Sequence, residues 1–244
     1  MKSPVRMLAR IVFVAVAMYL LLGFAVVAVL SKPKRHFDPN KNPGTHSIAY
    51  QDVRFAARGG DAELAAWYLP NASRRAALVL VHGKDGSRTN EHAGRNDEFM
   101  SALYRQGFTV LAMDLRGHGQ SSPARFSFGI NESRDVLGGF DYLKAQGYSP
   151  KQIGLHGVSM GAASVLLAAA QEPTVQAVIA DCGYADCGRV MRREWYRRTH
   201  LPSLVMPSAQ LVGQIWLGHD LLSVRPIDRV ADIKSQEQFI HAAN

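Results

Sequence analysis

Ile11 to Leu30 is a run of twenty residues without a charge, flanked by Arg10 and Lys32, and the pattern after it is of a different kind. As a helix, a run of that length matches the hydrocarbon thickness of a bilayer. The reading adopted is an uncleaved membrane anchor over 1–31. A cleaved signal peptide, with Val26-Val27-Ala28 as its cleavage site, and a buried core helix are the alternatives. Residues 32–45, rich in Lys, Pro, Asn and Gly, read as a linker. His46 to Phe55 and Glu63 to Leu69 are strand-like, with Gly59-Gly60-Asp61 as the hairpin turn between them.

From there continuous apolar runs alternate with helical periodicity. Ala77 to His82, Phe108 to Asp114, Gln152 to His156 and Val175 to Asp181 predict buried strands. Asp97 to Gln106, Asn131 to Gln146 and Ala162 to Ala170 predict helices. Val136, Phe140 and Leu143 share one face of the second, and Gly107 and Gly147 supply C-terminal stops. Strands buried on both faces and separated by helices predict an α/β fold: a mostly parallel sheet with helices on both sides. Residues 182–225 break the rhythm with a basic helix and an apolar stretch, Leu204 to Leu217, and read as a small lid insertion.

The chain has 244 residues, enough for one domain with a substantial core. Its net charge of +8 raises nucleic-acid binding, but the charge is clustered. One cluster, Lys32, Lys34, Arg35 and Lys41, follows the span. The other is Arg189, Arg192, Arg193, Arg197 and Arg198, interleaved with Met191, Trp195 and Tyr196. Basic residues mixed with aromatics suit an anionic membrane surface; a solvated helix whose aromatics pack inward accounts for the same pattern. No nucleic-acid motif accompanies the charge, so no nucleic-acid partner is expected. Lys2, Arg6 and Arg10 precede the span, so the positive-inside rule hardly discriminates, and the short N-terminal flank favours a following domain on the outer face. Cys182 and Cys187 read either as a pair formed in an oxidising space or as free thiols. No ligand-type Cys/His spacing and no phosphate loop is present, so neither a metal nor a cofactor is expected.

Candidate chemistry centres on Gly157-Val158-Ser159-Met160-Gly161, between an apolar strand and an alanine-rich helix. A serine between two glycines at so tight a turn has its hydroxyl pushed into the open. Acyl transfer needs a nucleophile, a base, a group to orient the base, and donors for the oxyanion. Ser159 is the candidate nucleophile, and the backbone N–H of Met160, at a helix N-terminus, is one candidate oxyanion donor. The N–H of Lys84, in His82-Gly83-Lys84-Asp85-Gly86 after an earlier strand, is the other.

With His82-Gly83, Asp114-Leu115-Arg116-Gly117-His118-Gly119-Gln120-Ser121 and Gly157 to Gly161 in this order and at strand ends, the chain resembles the α/β-hydrolase superfamily from about Ser47 onward. The N-terminal span, the modest insertion and Phe126-Ser127-Phe128-Gly129 leading to Glu132 and Asp135 are similar to its membrane-tethered branch of lysophospholipase-like and protein-depalmitoylase-like serine hydrolases. The resemblance implies an α/β-hydrolase domain over 46–244 and a small-molecule ester, thioester or lipid substrate cleaved through an acyl-enzyme on Ser159. It also implies an acid after a later strand and a histidine near the C-terminus. Phe239 to Asn244 looks like that strand, which puts the usual acid and histidine beyond Asn244 and implies a truncated hydrolase. An inactive remnant or a membrane-bound binding protein is the alternative function. Inside the chain, Asp181 is a possible alternative acid, its other reading being a helix cap or a loop hydrogen bond. His82 and His118 read as structural groups bonded to backbone, His156 as a core residue and His241 as part of the last strand, with His200 and His219 in the insertion.

Overall fold

In the computed structural model, which describes residues 4–73 and 75–241, the elements follow the predicted alternation. They are α1 (Pro4–Leu30), β1 (Gln51–Ala56), β2 (Glu63–Leu69), β3 (Ala76–Val81), α2 (Glu91–Gly94), α3 (Asn96–Arg105), β4 (Phe108–Met113) and α4 (Ile130–Ala145). After them come β5 (Ile153–Val158), α5 (Met160–Gln171), β6 (Ala177–Asp181), α6 (Cys187–Thr199), α7 (Met206–Leu217) and β7 (Gln236–Ile240). The chain divides into two compact units, Pro33–Ala185 with Arg225–Asn244, and Met1–Lys32 with Asp186–Val224.

The larger unit is built on one sheet of order β1-β2-β4-β3-β5-β6-β7. β1 with β2 and β2 with β4 run antiparallel, and the remaining neighbours are parallel. The continuous apolar runs are explained by burial on two faces. Val79, Val81, Leu111 and Met113 turn one way and pack with Phe140 of α4 and Val165 of α5. Leu80, Val110 and Ala112, one residue out of phase, turn the other way and pack with Met100 of α3 and Trp67 of β2. Strands that bury alternate side chains in two different cores have no polar face to show.

Two boundaries differ from expectation for local reasons. β1 begins at Gln51 and not at His46, because Pro43–His46 is a 3₁₀ turn in which the Asn42 side chain accepts from Gly44 N–H at 2.9 Å. Pro43 fits the first position of such a turn, and Ser47 closes it in a left-handed conformation with φ 59°. The last strand lies at Gln236–Ile240, earlier than Phe239 to Asn244; it pairs with β6 so that Ile240 stands opposite Asp181, and residues 242–244 lie outside the described residues.

In the smaller unit, α1 is long and apolar enough to cross a membrane, with mean hydropathy 2.8 over its most apolar window. Its Val26 and Val27 are buried with Trp195 of α6 and with Val205 and Ala209 at α7. Cys182 is exposed and Cys187 buried, and the two are not joined in a disulfide.

Candidate active site

The turn from β5 into α5 is closed by steric necessity. A Cβ at Gly157 would lie 2.2 Å from the Gly161 carbonyl oxygen, and one at Gly161 would lie 2.5 Å from Val81 O and 2.6 Å from His82 O. No side chain fits either position. Between them Ser159 has φ 54° and ψ −111°, a conformation that L-residues rarely adopt and that the surroundings must enforce. Part of the enforcement is visible: Ser159 N–H donates to Asp181 O at 2.8 Å, and Ser159 O accepts from Ala163 N–H at 3.2 Å. The residue is exposed, and among the described residues its Oγ makes no hydrogen bond. Met160 is the first residue of α5, so its N–H has no acceptor within the helix and lies at the positive end of the helix dipole.

The loop after β3 lies against this turn. A Cβ at Gly83 would stand 3.2 Å from Ser159 Cβ and 3.5 Å from Glu91 Oε2, so serine and glutamate flank the same glycine. Gly83 N–H donates to Glu91 Oε2 at 2.5 Å, which holds the His82–Gly83 peptide, one unit before the peptide that carries the Lys84 N–H. Lys84 itself pairs with Asp85 at 2.5 Å and lies over the Phe126 ring at 5.0 Å. Three further bonds tie the loop to the Asp114–Ser121 segment. His82 Nε2 accepts from Leu115 N–H at 3.0 Å, His118 Nε2 accepts from Asp85 N–H at 3.2 Å, and Asp114 Oδ1 accepts from Arg88 N–H at 2.8 Å. Each histidine donates through Nδ1 to a carbonyl, that of Gly83 at 2.7 Å and that of Arg116 at 2.9 Å. Both rings are thereby neutral, as their burial requires: it lowers His82 to about 3 and lowers His118 as well. Asp114 and Arg88 form a fully buried ion pair behind the loop.

A family model described as Serine aminopeptidase, S33 (Hydrolase_4) matches residues 72–242. The chain belongs to this α/β-hydrolase family. An uncharacterized protein of Bacillus subtilis, YqkD, is 30% identical over 168 residues, 68% of this chain and 53% of that one. A monoglyceride lipase of Rattus norvegicus is 31% identical over 139 residues, 56% of this chain and 43% of the lipase. The chain thus spans about half the length of the curated relatives it matches. Among solved structures, the Pyrococcus furiosus esterase Pf2001 superposes with a TM-score of 0.60 over 86% of this chain and 89% of that one; at 24% identity the likeness shows the fold.

In this member of the S33 family the structure brings Ser159, Met160 and the Lys84 loop together at the carboxyl ends of β3 and β5. Asp181 ends β6 opposite Val158, and its backbone carbonyl holds the serine turn. Its carboxylate makes no hydrogen bond among the described residues. No histidine ring among them is hydrogen-bonded to Ser159. His200 is the left-handed cap of α6, and it and His219 belong to the smaller unit. Glu132 accepts from Ser127 N–H at 2.9 Å, Ser127 Oγ at 2.8 Å and Gly129 N–H at 2.7 Å, while Asp135 clamps Arg116 at 2.7 Å. The segment following Phe126 therefore builds the start of α4 and a buried ion pair.

Sequence reasoning did not single out Glu91 or His92. They lie in α2, where His92 and Ala93 are both left-handed (φ 52° and 58°), and the His92 ring stacks on His156 at 5.7 Å. Burial, with the His92 ring as a second cause, lowers His156 to about 4. Acidic and aromatic residues in a loop carry no periodic signal, and only the proximity of Glu91 to a motif glycine marks it.

Proposed function

We propose that the chain is a serine hydrolase of carboxylic esters or thioesters carrying an acyl or lipid group. Ser159 Oγ adds to the acyl carbonyl, and the N–H groups of Met160 and Lys84 receive the oxyanion. The alcohol or thiol leaves with a proton as the acyl-enzyme forms, and water then releases the acid. The observation that carries this reading is the exposed, strained Ser159, placed beside Gly83 with its hydroxyl unengaged. The monoglyceride lipases among the relatives support a glycerol ester of a fatty acid as the substrate class. In the same proposal α1 anchors the chain in a membrane with the hydrolase domain on the outer face, and Asp181 is the candidate acid.

A fluorophosphonate probe tests the chemistry, because it labels only an activated serine. Labelling that vanishes in Ser159→Ala, together with hydrolysis of long-chain monoacylglycerol, is the expected result. Well-folded protein that takes no label belongs to the other reading, a membrane-bound binding protein. Turnover confined to short soluble esters would remove the lipid assignment alone.

A further inference from the structure

The smaller unit contains a packing arrangement that acyl transfer does not use. α1 and α7 approach so closely that a Cβ at Gly23 would lie 2.6 Å from Ser208 Oγ and 2.7 Å from the Ser208 carbonyl carbon. Phe24 stacks on Trp216 with ring centroids 4.5 Å apart, and Tyr19 Oη donates to Leu204 O at 2.8 Å. α7 and the turn before it therefore lie along residues 19–27 of α1, inside the apolar span. The side of α7 turned away from α1 is not covered: Ile215 is 76% exposed and Leu211 48%, with Leu204 at 77% just before the helix. On α6, Arg189, Arg192, Arg193 and Arg197 recur at the spacing of one helical face with Tyr196 among them, and all five are exposed. Only Arg197 of these has an ion pair among the described residues, with Glu194 at 3.3 Å.

We propose that the insertion is itself membrane-bound: α7 beds its uncovered apolar side chains in the lipid leaflet beside residues 19–27 of α1, and the arginine face of α6 takes anionic lipid headgroups. The inference rests on the reading of α1 as a membrane span. A helix docked on a spanning helix shares its depth, and α7, like α1, carries large apolar side chains that are exposed. Gln210 and Gln214 face outward, and Gln210 bonds Asp220 at 2.9 Å, which satisfies that amide within the protein at the depth of the docked helix. The arginines of α6 supply the charge complementary to anionic headgroups.

The test uses the full chain, reconstituted in phosphatidylcholine vesicles with and without phosphatidylglycerol and carrying a spin-labelled lipid quencher. A fluorophore is attached at Ile215→Cys, in a Cys182→Ser background. Cys187 is buried, and that burial pushes its thiol up to about 12, so it stays unmodified. A second sample carries the fluorophore at Phe13→Cys in α1. Quenching at both positions is expected. The Ile215 signal should deepen with phosphatidylglycerol, lose that dependence in Arg192→Glu/Arg193→Glu, and be largely lost in Gly23→Leu, which wedges α7 off α1. Quenching at Phe13 without quenching at Ile215 overturns the inference and leaves the anchor standing. No quenching at either removes the anchor reading and this one with it. Quenching at Ile215 only by a quencher carried on a second copy of the chain makes the face a self-association surface and overturns lipid as its occupant.

Discussion

Asp114→Asn is the sharpest test of how the site is supported. Asp114 is fully buried, and the Arg88 side chain it pairs with is 1% exposed. Arg88 is also held between the rings of Phe37 and Trp67, each 4.7 Å from its guanidinium carbon, and bonds Gln120 Oε1 at 2.6 Å. Its Nε has no partner among the described residues, so the cation has little hydrogen bonding in reserve. The nearest replacement carboxylate, Asp52, is 3.7 Å away with a side chain 71% exposed, too solvated to take over the charge. Asparagine keeps the shape and an acceptor for Arg88 N–H but strands the cation. Removing one partner of a buried pair costs about 3–5 kcal/mol, a large share of a total of roughly 5–15 kcal/mol. Urea unfolding in detergent, followed by circular dichroism, should register that loss. The double variant Arg88→Met/Asp114→Asn, which removes both charges and keeps the acceptor for Arg88 N–H, should recover most of it. A single variant within about 1 kcal/mol of the parent would mean that the pair does not hold the loop.

Three further outcomes follow from the same geometry. Gly161→Ala drives a Cβ into two backbone oxygens of β3 and its following residue, so it should cost about 3 kcal/mol and abolish probe labelling, whereas Gly213→Ala, at an ordinary 3.7 Å from Val27, should fold normally; equal stability of the two would contradict the closure described. Glu91→Gln keeps an acceptor for Gly83 N–H but weakens a charge-assisted bond, and should lower the turnover of the proposed ester more than its KM, by roughly tenfold; an unchanged turnover rules out Glu91 as a positioning residue for the loop. His156, held neutral with its pKa lowered to about 4, binds fewer protons folded than unfolded, so its contribution is fully present above about pH 6.5 and is lost as pH falls through 4; His156→Asn should flatten the stability slope across that window by about 1.4 kcal/mol per pH unit, read from urea midpoints, and an unaltered slope would show the ring to be solvated.

The sheet was legible because two-sided burial leaves a direct mark, unbroken apolar runs such as Ala77 to Val81. The serine turn was legible because steric closure restricts two positions to glycine. His82 and His118 were correctly read as backbone-bonded, since both sit in motifs that end strands. The strand start at Gln51 was misjudged because a proline-led 3₁₀ turn and a strand share the same short apolar–polar alternation. Glu91 was missed because its role depends on a left-handed turn at His92 and Ala93, with neither a glycine nor an asparagine to mark it in the sequence. The docking of α7 on α1 was equally hidden: Gly23 and Ser208 are 185 positions apart, and each is unremarkable in its own helix.

For the proposed nucleophile, placement and activation are separate problems, and the backbone alone accounts for the first. Ser159 is held at positive φ by its flanking glycines and by Asp181 O, while its Oγ contributes no hydrogen bond to the described structure. A strained L-residue of this kind costs about 1–3 kcal/mol, and that cost serves only to expose the hydroxyl. Glycine at the same position escapes the strain and gives back about 0.5–1 kcal/mol through the freer unfolded chain. Ser159→Gly should therefore be more stable than Ser159→Ala by about 1 kcal/mol in urea unfolding, with both unlabelled by the probe. Alanine as stable as glycine would show that the turn is relaxed, and the serine would then sit there without the strain expected of a residue kept for chemistry.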